Sequence, residues 1–417
     1  MTPKVLLLSH LPQRDDVVDT LIIKELEKRG INAWKYSILN NPRPMIMAIK
    51  PDIVILPEIR IEYTRDLAKQ LQEWGVKVVQ KRCEMGVSAE TEMGEELERC
   101  LFGNVNWHEH IDLDLVWGKG FADQLIAHGV PKKKIKVIGG IPFDCYFNNP
   151  PKVKGGNKKP RLLFCGGFGY ADRSPIYAIP ESIVGEKVNI ELVKADRENR
   201  EIFCKMMQDV MEHFGDKFDY GVRGHPGEAY TYYTERCGTK LNAVEGCVTP
   251  IAIAWADVLV HPGSTMAYEA HLMNKPSFNF RNTNLDAVVG SISPTLDNSK
   301  GLITKLENVK LKESNADKKV IRSLKRYYGK VDGQAHIRAV DAILKLELNK
   351  TKVPQEWPKD TIKYPNKFVQ LNLDPRICSS CNNTVFIKKG ITSAKCPWCG
   401  ICMIIHPDQP MQIIQKG

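Results

Sequence analysis

The sequence lacks a run of roughly 18 apolar residues, so an ordinary transmembrane helix is not expected. It also lacks the long apolar stretch of a secretory signal, because the short run Val5–Leu8 soon meets Pro, Arg and Asp. This pattern favours a first β-strand and a cytoplasmic protein. No internal repeat of about 20 to 50 residues recurs along the chain, which excludes a solenoid.

Two phosphate-binding patterns are absent as well. The sequence contains no GxxxxGK(S/T) loop and no complete GxGxxG motif. The first holds phosphates in P-loop NTPases and the second holds dinucleotides in Rossmann dehydrogenases. Both of those classes are therefore disfavoured.

Cysteine is sparse over the first 350 residues, where seven of the twelve are scattered singly. In a cytoplasmic protein such residues are most simply small buried hydrophobes. The seven are Cys83, Cys100, Cys145, Cys165, Cys204, Cys237 and Cys247.

The other five cysteines lie close together near the C-terminus. Cys378 and Cys381 form one CxxC pair, Cys396 and Cys399 form a second, and 14 residues separate the pairs. Two such pairs suit one tetrahedral zinc ion held by two β-hairpins, and four thiolates leave no open position for catalysis. The spacing predicts a structural zinc ribbon over residues 370–410. Cys402 and His406 could replace a ligand, and a redox CxxC is the alternative.

The formal net charge is +10, and residues 350–417 hold ten basic and four acidic side chains. A basic tail of this kind favours an anionic partner. The alternative is a solvated basic surface without a partner.

Short apolar runs alternate with amphipathic stretches from the N-terminus to about residue 348. The alternation predicts βαβ units and parallel sheets. A segment rich in Pro, Gly and Lys, residues 148–160, interrupts it and is predicted to be a linker. The expected fold class is α/β, with two Rossmann-like domains over residues 1–150 and 160–348 that face a cleft.

Three loops of the second half follow predicted strands and could bind an anion. In the first, Gly263, Ser264 and Thr265 precede a helix that carries Glu269, so main-chain N–H groups and hydroxyls could meet an anion there. In the second, Arg223 and His225-Pro226 follow a strand and could bind a phosphate. The third is Gly166–Gly169, with Gly167 at its centre. The alternatives are a plain helix cap, a structural loop and an ordinary turn, respectively.

Several motifs resemble those of GT-B glycosyltransferases. More narrowly, the chain resembles bacterial surface-carbohydrate biosynthesis proteins, relatives of Kdo- and sialic-acid-type transferases. The motifs are Leu115–Gly118, Gly129–Pro131, Lys134–Asp144 and Asp332–Arg338. The resemblance covers roughly residues 1–345 and leaves the cysteine-rich tail outside.

The resemblance implies roles for two of the three loops. His225-Pro226 would hold the phosphates of a nucleotide-sugar donor, together with Gly263, Ser264 and Thr265, and Glu269 would bind the ribose. No DxD motif is evident near the expected cleft, so no catalytic metal is expected. The leaving phosphate would be stabilised by fixed dipoles and a cation.

An inverting transfer also needs a base for the acceptor hydroxyl, which the resemblance places in the first half. Glu84 matches the position of an acidic pair in relatives, although only one acid is present here. Glu58 and Asp15 or Asp16 are rivals. The sequence His108-Glu109-His110 lacks helical spacing for a metal and is interpreted as a surface loop.

The resemblance predicts a GT-B glycosyltransferase that moves a sugar from a nucleotide-sugar donor to an acceptor hydroxyl, by default on a surface polysaccharide. One alternative is a phage-type glycosyltransferase that acts on hydroxymethylated bases of DNA, which the basic tail would favour. Another is a nonhydrolysing sugar-nucleotide epimerase. A non-catalytic binding protein with the same fold is the last.

Overall fold

The structure is a computed structural model. It describes residues 2–10, 12–57, 59, 62–82, 105–148, 150–151, 159–169, 171, 190–225, 228, 231–238, 240–244, 249–281 and 292–358, and four strands between residues 373 and 404. The chain divides into two compact units. The first contains residues 1–150 and 318–368, and most of the second lies between residues 151 and 317.

The first unit is built on a six-stranded parallel sheet of order β2-β1-β3-β4-β5-β6. Its strands are β1 (Lys4–Ser9), β2 (Asn32–Ser37), β3 (Ile53–Leu56), β4 (Lys77–Gln80), β5 (Leu113–Val116) and β6 (Ile135–Val137). Its helices are α1 (Pro12–Lys28), α2 (Arg43–Ile49), α3 (Glu62–Glu73), α4 (Lys119–Ala127) and α5 (Cys145–Asn148), followed later in the chain by α11 (Lys318–Tyr328) and α12 (Ala335–Ile343).

Alternate residues of β1 enter two different cores, as expected of a sheet that is covered on both faces. Leu6 and Leu8 pack in a cluster with Leu67 of α3, whereas Val5 and Leu7 pack with residues of α1 and α12. The strand order reverses between β1 and β3.

The helices α11 and α12 correct the sequence-based boundary at residue 348, which assigned them to the second half. They belong to the first unit. Ala339 and Ile343 of α12 are fully buried in the same core as Val5 and Leu7, so burial of this apolar face fixes the helix there.

The second unit repeats the plan with a parallel sheet of order β12-β11-β10-β7-β8-β9. Its strands are β7 (Arg161–Cys165), β8 (Asp219–Arg223), β9 (Leu241–Ala243), β10 (Val258–His261), β11 (Ser277–Phe280) and β12 (Thr295–Leu296). Its helices are α6 (Ile190–Phe214), α7 (Thr231–Cys237), α8 (Thr249–Trp255), α9 (Met266–Leu272) and α10 (Ser299–Glu307). Read from β9, this is the Rossmann strand order, and the chain reverses direction between β7 and β10.

Four strands are described in the tail. β13 (Leu373–Ile377) pairs antiparallel with β14 (Thr384–Lys388), and β15 (Ser393–Lys395) pairs antiparallel with β16 (Cys402–Ile404). The four cysteines of the predicted zinc site lie outside the described residues.

The scattered cysteines were expected to be buried. Cys165 and Cys204 are buried and Cys145 and Cys237 are partly buried, while the other three scattered cysteines lie outside the described residues.

Within the described part of the chain, no helix combines the length and apolarity needed to cross a bilayer.

Candidate functional site

The loops after three neighbouring strands come together at one edge of the second sheet. β10, β7 and β8 are neighbours in a parallel sheet, so their carboxyl ends lie along one edge. The loops that follow them lie at this edge, and they are Pro262–Thr265, Gly166–Gly169 and Gly224-His225, respectively. A methyl group on Gly167 would lie 2.9 Å from Cγ of Pro262, which shows that two of the loops are in close contact. In a parallel sheet a ligand binds in the crevice where the strand order reverses, and this reversal lies between β7 and β10.

The glycines after β7 are required by close packing. A methyl group on Gly166 would overlap the Glu228 carboxylate and lie 2.5 Å from the Tyr233 hydroxyl oxygen. A methyl group on Gly169 would lie 2.7 Å from Nδ1 of His225. Both distances are too short for a side chain, so the loop main chain lies directly against these polar groups.

His225 is exposed at the end of β8, and its imidazole packs beside Gly169. Its main-chain N–H donates to the Glu228 carboxylate at 2.6 Å, and the N–H of Glu228 returns a hydrogen bond to the His225 carbonyl at 2.8 Å. This pair of bonds closes the turn and fixes the position of His225. Pro226 lies outside the described residues.

Glu228 was not among the sequence candidates. It is buried, and burial raises its pKa to about 7, although hydrogen bonds from Tyr233 and His225 and the charge of Arg200 act in the opposite direction. An acidic residue in a loop otherwise made of Gly, His and Pro was the only sequence signal. The local sequence of the loop does not show that Glu228 packs against the β7 loop, because the two loops are far apart in the chain.

The turn after β10 is held by His261, which is fully buried. The main-chain N–H groups of Gly263 and Ser264 both donate to its Nδ1 at 3.1 Å. Since Nδ1 accepts, we assign the hydrogen to Nε2, which donates to Oγ of Ser293 at 2.9 Å. Burial lowers the pKa of His261 to about 3, so the ring is neutral.

This arrangement differs from the anion-binding geometry expected of the same turn. His261 takes the main-chain N–H groups of Gly263 and Ser264, so they are not the donors that the sequence interpretation supposed. The Ser264 hydroxyl accepts from the Met266 N–H at 3.2 Å, and Thr265 is exposed. The polar side chains of this turn are the hydroxyls of half-buried Ser264 and exposed Thr265.

The remaining donor-site candidates flank the three loops. Arg223, the last residue of β8, donates from Nη2 to Oγ1 of Thr249 at 3.3 Å. Glu269 is buried in the first turn of α9. Neither side chain is as open to a ligand as the sequence had indicated.

The candidates for a base in the first unit are only partly described. Glu58 and Glu84 lie outside the described residues. Asp16 forms an ion pair with Lys35 of β2, and Asp15 accepts from the main-chain N–H of His10 at 3.0 Å. The Asp16 carboxylate is thus already bound to a cation, which disfavours it as the group that accepts the acceptor's proton.

Two buried ion pairs at the end of β4 were missed by the sequence analysis. Lys81 pairs with Asp19, and Arg82 binds Asp114 with two hydrogen bonds of 2.9 and 2.7 Å. Burial acts to raise the pKa of Asp114, but the Arg82 guanidinium and His108 hold it below its usual range. The pairs anchor the point at which the chain leaves the sheet toward residue 84.

The interpretation of His108-Glu109-His110 as a surface loop is wrong for its first residue. His108 is buried, and its Nε2 lies 3.2 Å from Nη2 of Arg82 and 3.3 Å from Oδ2 of Asp114. The sequence could not show this because the partners lie on other strands. No metal-binding cluster occurs within the residues that the structure describes.

No family model matches the chain, and no curated protein sequence matches it. Solved structures do resemble its fold. The UDP-GlcNAc 2-epimerase of Methanocaldococcus jannaschii, in complex with UDP-GlcNAc and UDP, has a TM-score of 0.51 at 14% identity, covering 82% of this chain and 100% of that chain. MnaA of S. aureus, in a structure with UDP, has a TM-score of 0.52 at 12% identity, covering 82% and 96%.

The wall teichoic acid polymerase TagF, soaked with CDPG, has a TM-score of 0.51 at 11% identity, and the match covers 83% of this chain and 89% of that chain. At these identities the likeness is one of fold. It confirms the prediction of two parallel-sheet α/β domains of the GT-B type.

Proposed function

We propose that the chain is a nucleotide-sugar enzyme that binds the nucleotide of its donor in the second unit. The main support for the proposal is that the Gly166–Gly169 loop contacts both His225 and Pro262, the first residue of the Pro262–Thr265 turn, at the reversal between β7 and β10. The solved structures of like fold support it, since they were solved with UDP-GlcNAc, UDP or CDPG.

In this proposal the donor phosphates lie against the glycine loop, where main chain can approach closely. His225 donates a hydrogen bond to a phosphate oxygen, and the Thr265 hydroxyl donates another. As the bond between the sugar and the phosphate breaks, negative charge grows on the leaving phosphate. Donors that are already in position stabilise that charge without reorganisation.

We further propose that the reaction is transfer of the sugar to an acceptor hydroxyl, with a glycan as the acceptor. A carboxylate of the first unit takes the hydroxyl proton while the oxygen attacks the anomeric carbon and the nucleotide diphosphate leaves. Glu84 is the first choice for this base, because Asp16 is ion-paired with Lys35.

Epimerisation of the nucleotide sugar is the second candidate. The observation in its favour is that UDP-GlcNAc 2-epimerases of like fold are covered almost completely by the match. Such an enzyme changes the sugar without any acceptor, so the two activities are separable by experiment.

Transfer and epimerisation are distinguished by NMR of nucleotide sugars incubated with the protein, with and without oligosaccharide acceptors. We expect release of free nucleotide that depends on the acceptor, and loss of this release in Glu84→Gln. Conversion of the sugar in the absence of acceptor would identify an epimerase instead. No change in any nucleotide sugar under either condition would contradict both activities.

The cysteine-rich tail is proposed to hold one structural zinc ion. Cys378 and Cys381 lie in the sequence between the paired strands β13 and β14, and Cys396 and Cys399 lie between β15 and β16. In sequence, each CxxC pair thus lies between two strands that pair antiparallel, which is the order of zinc ribbons.

Metal analysis of the purified protein is expected to give about one zinc per chain, following from one four-thiolate site. Cys378→Ser should reduce the content strongly, whereas Cys145→Ser, which changes a cysteine far from the tail in sequence, should leave it unchanged. A zinc content well below one in the unaltered protein would refute the site.

A further inference from the structure

Glu228 connects two of the loops that form the candidate nucleotide site. Its carboxylate accepts hydrogen bonds from the main-chain N–H of His225 and from the hydroxyl of Tyr233 on α7. It also packs against the main chain of Gly166 in the loop after β7. The carboxylate is therefore bonded to the β8 loop and in contact with the β7 loop.

The packing around this carboxylate leaves little freedom. Glu228 is 9% exposed and Tyr233 is fully buried. The main chain at Gly166 touches both side chains, and the main chain at Gly169 touches the imidazole of His225. A shift of Glu228 would consequently move the glycine loop and the imidazole together.

We propose that Glu228 is a positioning residue of the nucleotide site, which holds the His225 imidazole and the Gly166–Gly169 loop in the geometry that binds the donor phosphates. The inference rests on the proposed function. Glu228 lies behind the loops and acts through His225, without touching the donor.

The ionised form of Glu228 is the one that suits this role. Each carboxylate oxygen accepts one of these bonds, Oε2 from the His225 N–H and Oε1 from the Tyr233 hydroxyl, whereas a protonated carboxyl group carries a hydrogen that competes with one of them. Among the described residues, the charge of Arg200 on α6 and the hydroxyl of Tyr233 on α7 act on it, together with the main-chain N–H of His225. Because its pKa is raised to about 7, the site should lose nucleotide affinity as the pH falls through neutrality.

The test measures the binding of CMP, CDP, UDP, GDP and TDP by calorimetry at pH 6 and pH 8 in three proteins. These are the unaltered chain, Glu228→Gln, and the control Glu235→Gln, which changes an exposed carboxylate on α7. We expect Glu228→Gln to bind about tenfold more weakly at pH 8, the loss typical of one misplaced charge-assisted bond. We also expect it to lose the difference between the two pH values that the unaltered chain shows.

Tyr233→Phe provides a second variant in case Glu228→Gln does not fold. It keeps the carboxylate and removes one donor, so we expect a smaller loss of affinity and a changed pH profile. Equal binding by Glu228→Gln and the unaltered chain would overturn the inference. Weaker binding with an unchanged pH profile would also overturn it, since that is the result of a merely structural role.

Failure of the proposed function gives a different result. In that case the unaltered chain binds none of these nucleotides at either pH. The inference about Glu228 then fails as well. If only the inference about Glu228 fails, the unaltered chain still binds a nucleotide, so the two failures are distinguishable.

Discussion

Replacing His225 with alanine is expected to weaken nucleotide binding by about 10- to 100-fold, the cost of losing one hydrogen bond to a charged group. The imidazole is exposed at the end of β8 and lies against Gly169, beside the reversal of the sheet. It is the only titratable side chain among the described residues of the three loops that is exposed at this edge.

A thermal-shift panel with CMP, UDP, GDP, TDP and their common sugars measures this effect. One nucleotide should raise the melting temperature of the unaltered chain, and His225→Ala should lose most of the shift. His213→Ala is the matched control, because His213 is an exposed histidine of the same unit that pairs with Glu307 on the surface. Equal shifts in the two variants would remove His225 from the site.

The second large effect concerns stability in acid. His261 is neutral in the folded protein, because burial lowers its pKa to about 3 from a usual value of 6.5. The unfolded chain therefore binds a proton at this residue below about pH 6.5, and the folded chain does not. The contribution of His261 to the free energy of unfolding is therefore fully present above pH 6.5 and is lost as the pH falls toward 3. At pH 5 the free energy of unfolding is lower by about 2 kcal/mol for this reason.

Urea unfolding at pH 7 and pH 5 tests this expectation. His261→Gln should be less stable than the unaltered chain at pH 7, because it disturbs the bonds to Gly263, Ser264 and Ser293. Its free energy of unfolding should, however, fall less between the two pH values. His128→Gln, a change at an exposed histidine, should keep the full decrease. The same pH decrease in His261→Gln and the unaltered chain would contradict the assignment.

The sequence was sufficient to predict both sheets, because their strands are apolar runs with helical segments between them. Strands such as β3 and β10 are buried along their whole length, so composition alone marked them. The helices α11 and α12 were assigned to the wrong unit. Their amphipathic pattern shows that one face is buried but does not specify which sheet covers it.

The loops of the candidate site were predicted from the sequence, but the buried residues that hold those loops in place were not. Gly167, His225 and Gly263 follow strands directly, so their place at a sheet edge could be inferred. Glu228 and His261 act through hydrogen bonds to main-chain groups of neighbouring loops, and such bonds depend on packing between segments far apart in the chain. The same reason accounts for the buried pairs at Lys81 and Arg82.

In the proposed function, the nucleotide binds at the reversal between β7 and β10 in the second unit. Hydrogen–deuterium exchange with and without the best-binding nucleotide locates this site. We expect slower exchange in the peptides that contain Gly166–Gly169, His225 and Ser264–Met266, with little change at β11 and α10. Protection confined to other segments, or no protection with any nucleotide, would contradict it.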